Sequence, residues 1–345
     1  MANIRVDHVI ASISGANPRS YGLAARLDLQ GDVVSEQDIA QVLAECDVPN
    51  YGPGREVLHA QPVNFALDNR TGLSDPRGQL GQQLAVDMHM MTVDALAVQN
   101  LVHCVKRCDL ELAGIASSGY VSGISSLVED EQELGAACID MGGGATSVSV
   151  FLKKHMISSD SVRMGGDHVT GDISMGLGVP MATAERIKTF YGGVHATGMD
   201  DRERIEIGGD TGDWEHDRRT ASRAELIGIM RPRVEEILEE VRARLDAADF
   251  DLLPSQQIVL TGGASQIPGL DALASRILGQ QVRLGRPLRV HGLPQAATGP
   301  GFASAVGLSL FAANPQDEWW DFETPATRYP ARSFKRAVKW FRDNW

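Results

Sequence analysis

Two apolar runs in this chain each end on consecutive glycines, and that pair of endings constrains the fold more than any other feature. The first run, Leu134 to Ile139, passes through Asp140 and Met141 into Gly142-Gly143-Gly144, and an alternating run from Thr146 to Leu152 follows almost at once. This is strand, glycine turn, strand, with a carboxylate at the mouth of the hairpin. Glycine admits turn geometry and lets backbone amides approach an anion closely. The second run, Gln257 to Leu260, passes through Thr261 into Gly262-Gly263-Ala264-Ser265, and a helical pattern to Leu278 follows Pro268. That is the strand–glycine–helix order of an α/β nucleotide site. Between the two lies a helical stretch in which Glu185 and Lys188 share one face. Glycine backbone beside phosphate, glycine backbone beside a flat base, and a charged pair for ribose hydroxyls together describe a purine-nucleotide cleft. Taken singly, each part has a bland reading: an ordinary glycine turn, a capping aspartate, a surface ion pair.

Several function classes fall away. The chain has no Gly-x-x-x-x-Gly-Lys-Ser/Thr, so it is not a P-loop NTPase. No helix follows Gly144 directly, so the hairpin is not a Rossmann pyrophosphate turn. The formal net charge of −13 argues against electrostatic binding of nucleic acid. Cys46, Cys104, Cys108 and Cys138 lack metal-ligand spacing and read as buried free thiols of a reducing cytoplasm. No apolar run approaches the ~20 residues of a membrane span, and no secretory leader pattern is visible.

Taken in order, residues 1–82 read as a small α+β module. Its strand at Ile4–Ile10 is followed by a helix begun by the capping-box-like Ser35-Glu36-Gln37-Asp38 and by two short strands split by Pro62. Residues 83–133 add a strand, a helix with Leu96, Leu101, Val102 and Val105 inward, and a further helix from Ser117 to Leu127. Residues 134–313 hold both glycine turns, a third strand ending before Met164-Gly165-Gly166-Asp167, and a subdomain over 181–256. The long helix of that subdomain, Arg223 to Ala248, contains Pro232, and a kink or a first-turn proline is expected there. Residues 314–331 read as an acidic linker.

Asp140-Met141-Gly142-Gly143-Gly144-Ala145-Thr146 resembles the second phosphate hairpin of the ATPase superfamily that holds actin, the heat-shock chaperones and the sugar kinases. Val259 to Ser265 is similar to that superfamily's adenosine motif, and Ala184-Glu185-Arg186-Ile187-Lys188 to the nucleotide-contacting helix of bacterial actins. The order of these motifs, with the basic C-terminal helix, resembles the FtsA family of bacterial cell-division proteins over essentially the whole chain. The resemblance implies an α/β, actin-like (ribonuclease H-like) two-domain ATPase fold with an inserted small α+β subdomain and a C-terminal amphipathic helix. It implies ATP and Mg2+ as cofactors. Gly142, Gly143, Gly144, Thr146, Gly165, Gly166, Glu185, Lys188, Gly262, Gly263, Ala264 and Ser265 would bind the nucleotide, and Asp140 would act through a metal-bound or attacking water. Implied partners are the C-terminal peptide of FtsZ, met by Arg223, Arg231, Arg233 and Glu236, further copies of the chain through the inserted subdomain, anionic inner-membrane lipids, and other division proteins. The place of action would be the cytoplasmic face of the inner membrane at the septum. The implied role is an adaptor with at most weak ATPase activity; the alternative is a chaperone-like or sugar-kinase-like enzyme with true turnover. The superfamily's first, Asp-x-Gly-Thr-like hairpin has no counterpart here, and the expectation is a missing segment.

In the tail, a helix begun at Ser333 gathers Phe334, Ala337, Val338, Phe341 and Trp345 on one face. Lys335, Arg336, Lys339 and Arg342 occupy the other, with Trp340 at the border. That arrangement fits an interfacial membrane anchor; the alternative is a helix docked on the body or on a partner.

Overall fold

The computed structural model describes residues 6–207, 219–288, 290 and 292–313. The C-terminal anchor Phe334–Trp345 and the linker before it therefore lie outside the described residues. The elements run β1 (His8–Ile13), β2 (Arg19–Asp28), α1 (Glu36–Ala44), β3 (Arg55–Leu67), β4 (Arg70–Leu73), β5 (Gln83–Asp94), α2 (Ala95–Lys106), β6 (Glu111–Ser117), α3 (Ser118–Ser126) and α4 (Glu129–Leu134). Then come β7 (Ala136–Met141), β8 (Thr146–Leu152), β9 (His155–Val162), α5 (Gly166–Leu177), α6 (Met181–Tyr191), β10 (Arg204–Glu206), β11 (Thr220–Ser222), α7 (Arg223–Ala247), β12 (Gln257–Thr261), α8 (Leu270–Leu278), β13 (Val282–Leu284) and α9 (Ala303–Ala313).

Strand pairing divides the first eighty residues differently from the sequence grouping of 1–82. β1 runs parallel to β6, which lies a hundred residues on, while β2, β5, β3 and β4 form a separate antiparallel sheet in that order. The inserted unit is thus this sheet with α1 packed on it. Leu23, Val42, Leu43, Leu67 and Leu84 form its core. α1 starts where expected: the Ser35 hydroxyl accepts from the Asp38 amide, and the Asp38 carboxylate accepts from the Ser35 amide at 2.8 Å. The two short strands expected around Pro62 are one long strand, β3. The register shifts between Pro62 and Asn64, and β4 pairs with β3 only at Phe65 and Leu67, so the proline, which has no N–H, stands at a bulge beyond the reach of β4.

The second body is a five-stranded sheet in the order β13-β12-β7-β8-β9. Its three sequential strands β7, β8 and β9 form an antiparallel meander, while β12 and β13 add in parallel on the other side. α7 lies on this sheet through Leu226, Met230, Val234, Ile237, Leu238 and Val241, a stripe at helical spacing. It is one continuous helix that carries Pro232 in its interior, so the proline is not in the first turn. The N-cap is Ser222, whose hydroxyl accepts from the Glu225 amide at 3.1 Å.

Helices α3 and α9 cross against the opposite face. They come so close that any Cβ on Gly307 would collide with the Val121 carbonyl. Tyr120, Phe151 and Phe311 fill the space beside the crossing. Two expectations are corrected here. Leu96 on α2 is 67% exposed rather than inward. Cys104 and Cys108 are exposed, and only Cys46 and Cys138 are buried. α2 lies on the fold along Ala95, Val98, Leu101, Val102 and Val105, which are buried or half-buried; Leu96 and Cys104 fall off that stripe, and Cys108 lies beyond the end of the helix.

Candidate functional site

The two glycine turns are neighbours because their strands are. β7 and β12 pair in parallel with Asp140 opposite Thr261, so both chains leave the sheet at the same end, side by side. A crevice beyond the C-terminal ends of adjacent parallel strands is where open α/β sheets bind ligands. In the first turn the Gly142 amide donates to the Ala145 carbonyl at 3.0 Å. The Gly142 and Gly143 carbonyls accept from the Gly166 and Asp167 amides, each at 2.9 Å. The start of α5 is thereby sewn to the hairpin. Among the described residues no hydrogen bond satisfies the amides of Gly143, Gly144 and Ala145. Gly143 and Gly144 are exposed at the tip, so three consecutive N–H groups stand ready for an anion.

Asp140 sits beneath these turns, 8% exposed. Its Oδ2 accepts from the Ser122 hydroxyl on α3 and from the Ser304 hydroxyl on α9, each at 2.7 Å, and the two hydroxyls are themselves 2.7 Å apart. Its Oδ1 packs so tightly on the second turn that a side chain at Gly262 would collide with it and with the Met141 carbonyl. The carboxylate is therefore a pin that joins both glycine turns to the two crossing helices. Neither serine carries any local motif that would have revealed it.

Glu185 and Lys188 project from α6 onto the first turn of α5. Lys188 Nζ lies 2.6 Å from Glu185 Oε2 and donates to the Thr170 hydroxyl at 2.8 Å and the Gly166 carbonyl at 3.1 Å. Thr170 donates to Glu185 at 2.5 Å. Burial of Glu185 opposes its ionised form, but the hydrogen bonds from Lys188 and Thr170 outweigh it and hold the carboxyl below its usual range. A Cβ on Gly166 would lie 3.2 Å from Ala264 Cβ and 3.4 Å from Lys188 Nζ, so the ammonium reaches the gap between the two turns.

The structure thus gathers Asp140, Gly142, Gly143, Gly144, Gly165, Gly166, Glu185, Lys188, Gly262, Gly263 and Ala264 around one crevice. Thr146 and Ser265 belong to its frame. The Thr146 hydroxyl donates to the Met164 carbonyl at 2.8 Å, and the buried Ser265 hydroxyl donates to the Gly262 carbonyl at 2.7 Å. Sequence reasoning missed Ser122, Ser304, Thr170 and the Pro300–Phe302 turn. The Pro300 carbonyl accepts from the Gly262 amide at 3.2 Å, which lays that turn against the second glycine turn.

The partner-facing residues expected on α7 are already engaged within the chain. Arg233 forms a forked pair with Asp172 (2.7 and 3.2 Å) and a second contact with Glu236 at 2.5 Å. Arg231 pairs with Glu235 at 2.8 Å, and Arg223 with Asp200 at 2.6 Å. No helix among the described residues is long and apolar enough to cross a membrane.

Comparison with known proteins gives consistent results. A family profile described as "Cell division protein FtsA" matches residues 137–307, and one described as "SHS2 domain inserted in FTSA" matches residues 15–92. The latter coincides with the inserted sheet. The cell division protein FtsA of Rhizobium meliloti is 41% identical over 90% of this chain and 70% of its own length. That of Pseudomonas aeruginosa is 31% identical over 100% of this chain and 83% of its own. Among solved structures, a chain of the PilM-PilN type IV pilus biogenesis complex superposes with a TM-score of 0.60 at 17% identity, over 91% of this chain and 82% of that one. At that identity the likeness speaks to fold.

Proposed function

We propose a function from one premise: the chain belongs to the FtsA family of cell division proteins and has the actin-like ATPase fold. On that premise it is a division adaptor. It binds ATP with Mg2+ between its glycine turns, associates with further copies through the inserted sheet, and tethers FtsZ to the cytoplasmic face of the inner membrane. The observation that carries the nucleotide reading is the parallel β7–β12 pairing, which sets three unsatisfied amides and the Lys188 ammonium at one crevice.

The donors present suit a polyphosphate. The amides of Gly143, Gly144 and Ala145 would take phosphate oxygens, Lys188 would add charge, and the Glu185 carboxylate would accept from ribose hydroxyls. Direct magnesium ligation by Asp140 fits poorly, because both serine hydroxyls occupy Oδ2. Its expected role through a water is confined to Oδ1, and the exposed Asp167 carboxylate, which overhangs Gly143, is the other oxygen donor at hand. When bound, the ion would neutralise phosphate charge.

A titration with a fluorescent ATP analogue in the presence of Mg2+ tests the reading. Saturable binding, weakened at least tenfold by Lys188→Ala, is expected; no binding by the intact chain refutes it. For the tail, each basic residue near an anionic surface contributes ~1 kcal/mol. Equal flotation with liposomes of the whole chain and of a chain ending at Pro330 would remove the anchor. For the FtsZ peptide, a carboxylate would compete with Asp172 for Arg233. Unchanged peptide affinity after Arg233→Glu counts against that face.

A further inference from the structure

Away from the glycine turns, a cavity of about 490 Å³ opens where the inserted sheet, the edge of the five-stranded sheet and α7 meet. Its charge is unusual for this chain. Three guanidinium groups, Arg19, Arg163 and Arg244, face it with two carboxylates, Asp160 and Glu240, although the formal net charge of the protein is −13. Arg244 accounts for both acids: its Nε lies 3.6 Å from Asp160 and its Nη2 3.4 Å from Glu240. The other Asp160 oxygen accepts from the Ser161 amide at 2.7 Å. These contacts are loose enough that Arg244 Nε, though buried, has no hydrogen-bond partner. Among the described residues, no ion pair or hydrogen bond engages the guanidinium of Arg19 or of Arg163, and both residues are exposed. Two free guanidinium forks at one cavity match two oxyanions, each held by paired N–H donors.

The walls also indicate which oxyanion. Asp160 and Glu240 repel a doubly charged phosphate, whereas a carboxylate brings one charge to each fork. The volume exceeds what a single small anion fills. One wall is β9, the outer strand of its sheet. At Ser159 the backbone of that strand is capped by a side chain: the Ser20 hydroxyl accepts from the Ser159 amide at 2.8 Å and donates to its carbonyl at 3.1 Å. From Asp160 to Val162 the strand lines the cavity; an extended chain has room to lie along this edge, held by the arginines rather than by the Ser161 amide, which Asp160 already occupies.

We propose that this cavity binds an acidic peptide segment, with two of its carboxylates pairing with Arg19 and Arg163. The site neighbours the Arg231–Glu236 face of α7, meeting it where Arg233 lies 3.6 Å from the lining residue Met164, and does not depend on the nucleotide reading.

The test is fluorescence anisotropy of the whole chain with a labelled hexapeptide of alternating aspartate and glycine. Arg19→Gln with Arg163→Gln weakens binding at least tenfold, while Asp160→Asn, which removes a repelling charge, strengthens it about threefold or more. A gain of affinity cannot come from unfolding. Lys188→Gln leaves the affinity unchanged. The proposal is overturned if the double arginine variant binds as the parent does, if Asp160→Asn fails to strengthen binding, or if Lys188→Gln abolishes it. It is also overturned if 10 mM inorganic phosphate displaces the peptide, which would mark a phosphate site.

Discussion

Acidification from pH 8 to pH 5 weakens the joint between the inserted sheet and the second body, and His89 is the group through which it acts. This side chain is 2% exposed on β5, and its Nε2 lies 2.9 Å from the Ser20 hydroxyl. Ser20 spends its one proton on the Ser159 carbonyl, so Nε2 must be the protonated nitrogen and Nδ1 the bare one. Nδ1 is buried without a partner, so a proton added there would be an unpaired charge. Burial, with a contribution from His59, pushes the pKa from 6.5 down to about 3. The unfolded chain takes up the proton near pH 6.5 and the folded chain refuses it until near pH 3. The stabilisation is therefore complete above 6.5 and is lost as pH falls through that window. At pH 5 linkage converts the difference to about 2 kcal/mol. Urea unfolding at pH 8, 6.5 and 5 measures it, with His89→Asn as the control that removes the titration. The reasoning predicts that the variant's stability falls about 2 kcal/mol less between pH 8 and pH 5. Parallel pH dependences for the two proteins would refute it.

Other predictions concern packing and the pin under the site. Ser122→Ala and Ser304→Ala each cost about 1–2 kcal/mol in urea unfolding, because a hydroxyl is lost from a carboxylate. The double variant costs more than their sum, since a buried carboxylate oxygen then loses both donors; strict additivity would show the hydroxyls act separately. Gly307→Ala drives a methyl group into the Val121 carbonyl and destabilises by about 3 kcal/mol or more, read as a fall in Tm. Ser35→Ala removes the α1 cap and costs about 1 kcal/mol, confined in hydrogen exchange to the inserted unit.

What could be read from sequence was local. The hairpin at Gly142–Gly144 announces itself by two alternating runs, the β12 turn by its strand–glycine–helix order, and α7 by a long apolar stripe. What could not be read was pairing across distance. Nothing near Ile10 says that its strand runs beside β6, and the pairing of β7 with β12 joins residues over a hundred positions apart. Ser122 and Ser304 converge on Asp140 from 18 and 164 positions away, through a helix crossing whose closeness is set at Gly307. Pro62 reads as a strand break because the bulge beside it has no single-residue signature. The arginines of α7 showed their charge in the sequence but not their partners: Asp172, on a different helix, already holds Arg233.

The central claim is that the two glycine turns form one nucleotide cleft, and amide hydrogen exchange tests it most directly. The amides of Gly143, Gly144 and Ala145 have no protein acceptor among the described residues, so fast exchange is expected of them in the chain alone. The account predicts that saturating ATP with Mg2+ protects these three together with the Gly262–Ser265 turn, and that Lys188→Ala diminishes the protection. Unchanged exchange at both turns under saturating nucleotide would contradict it.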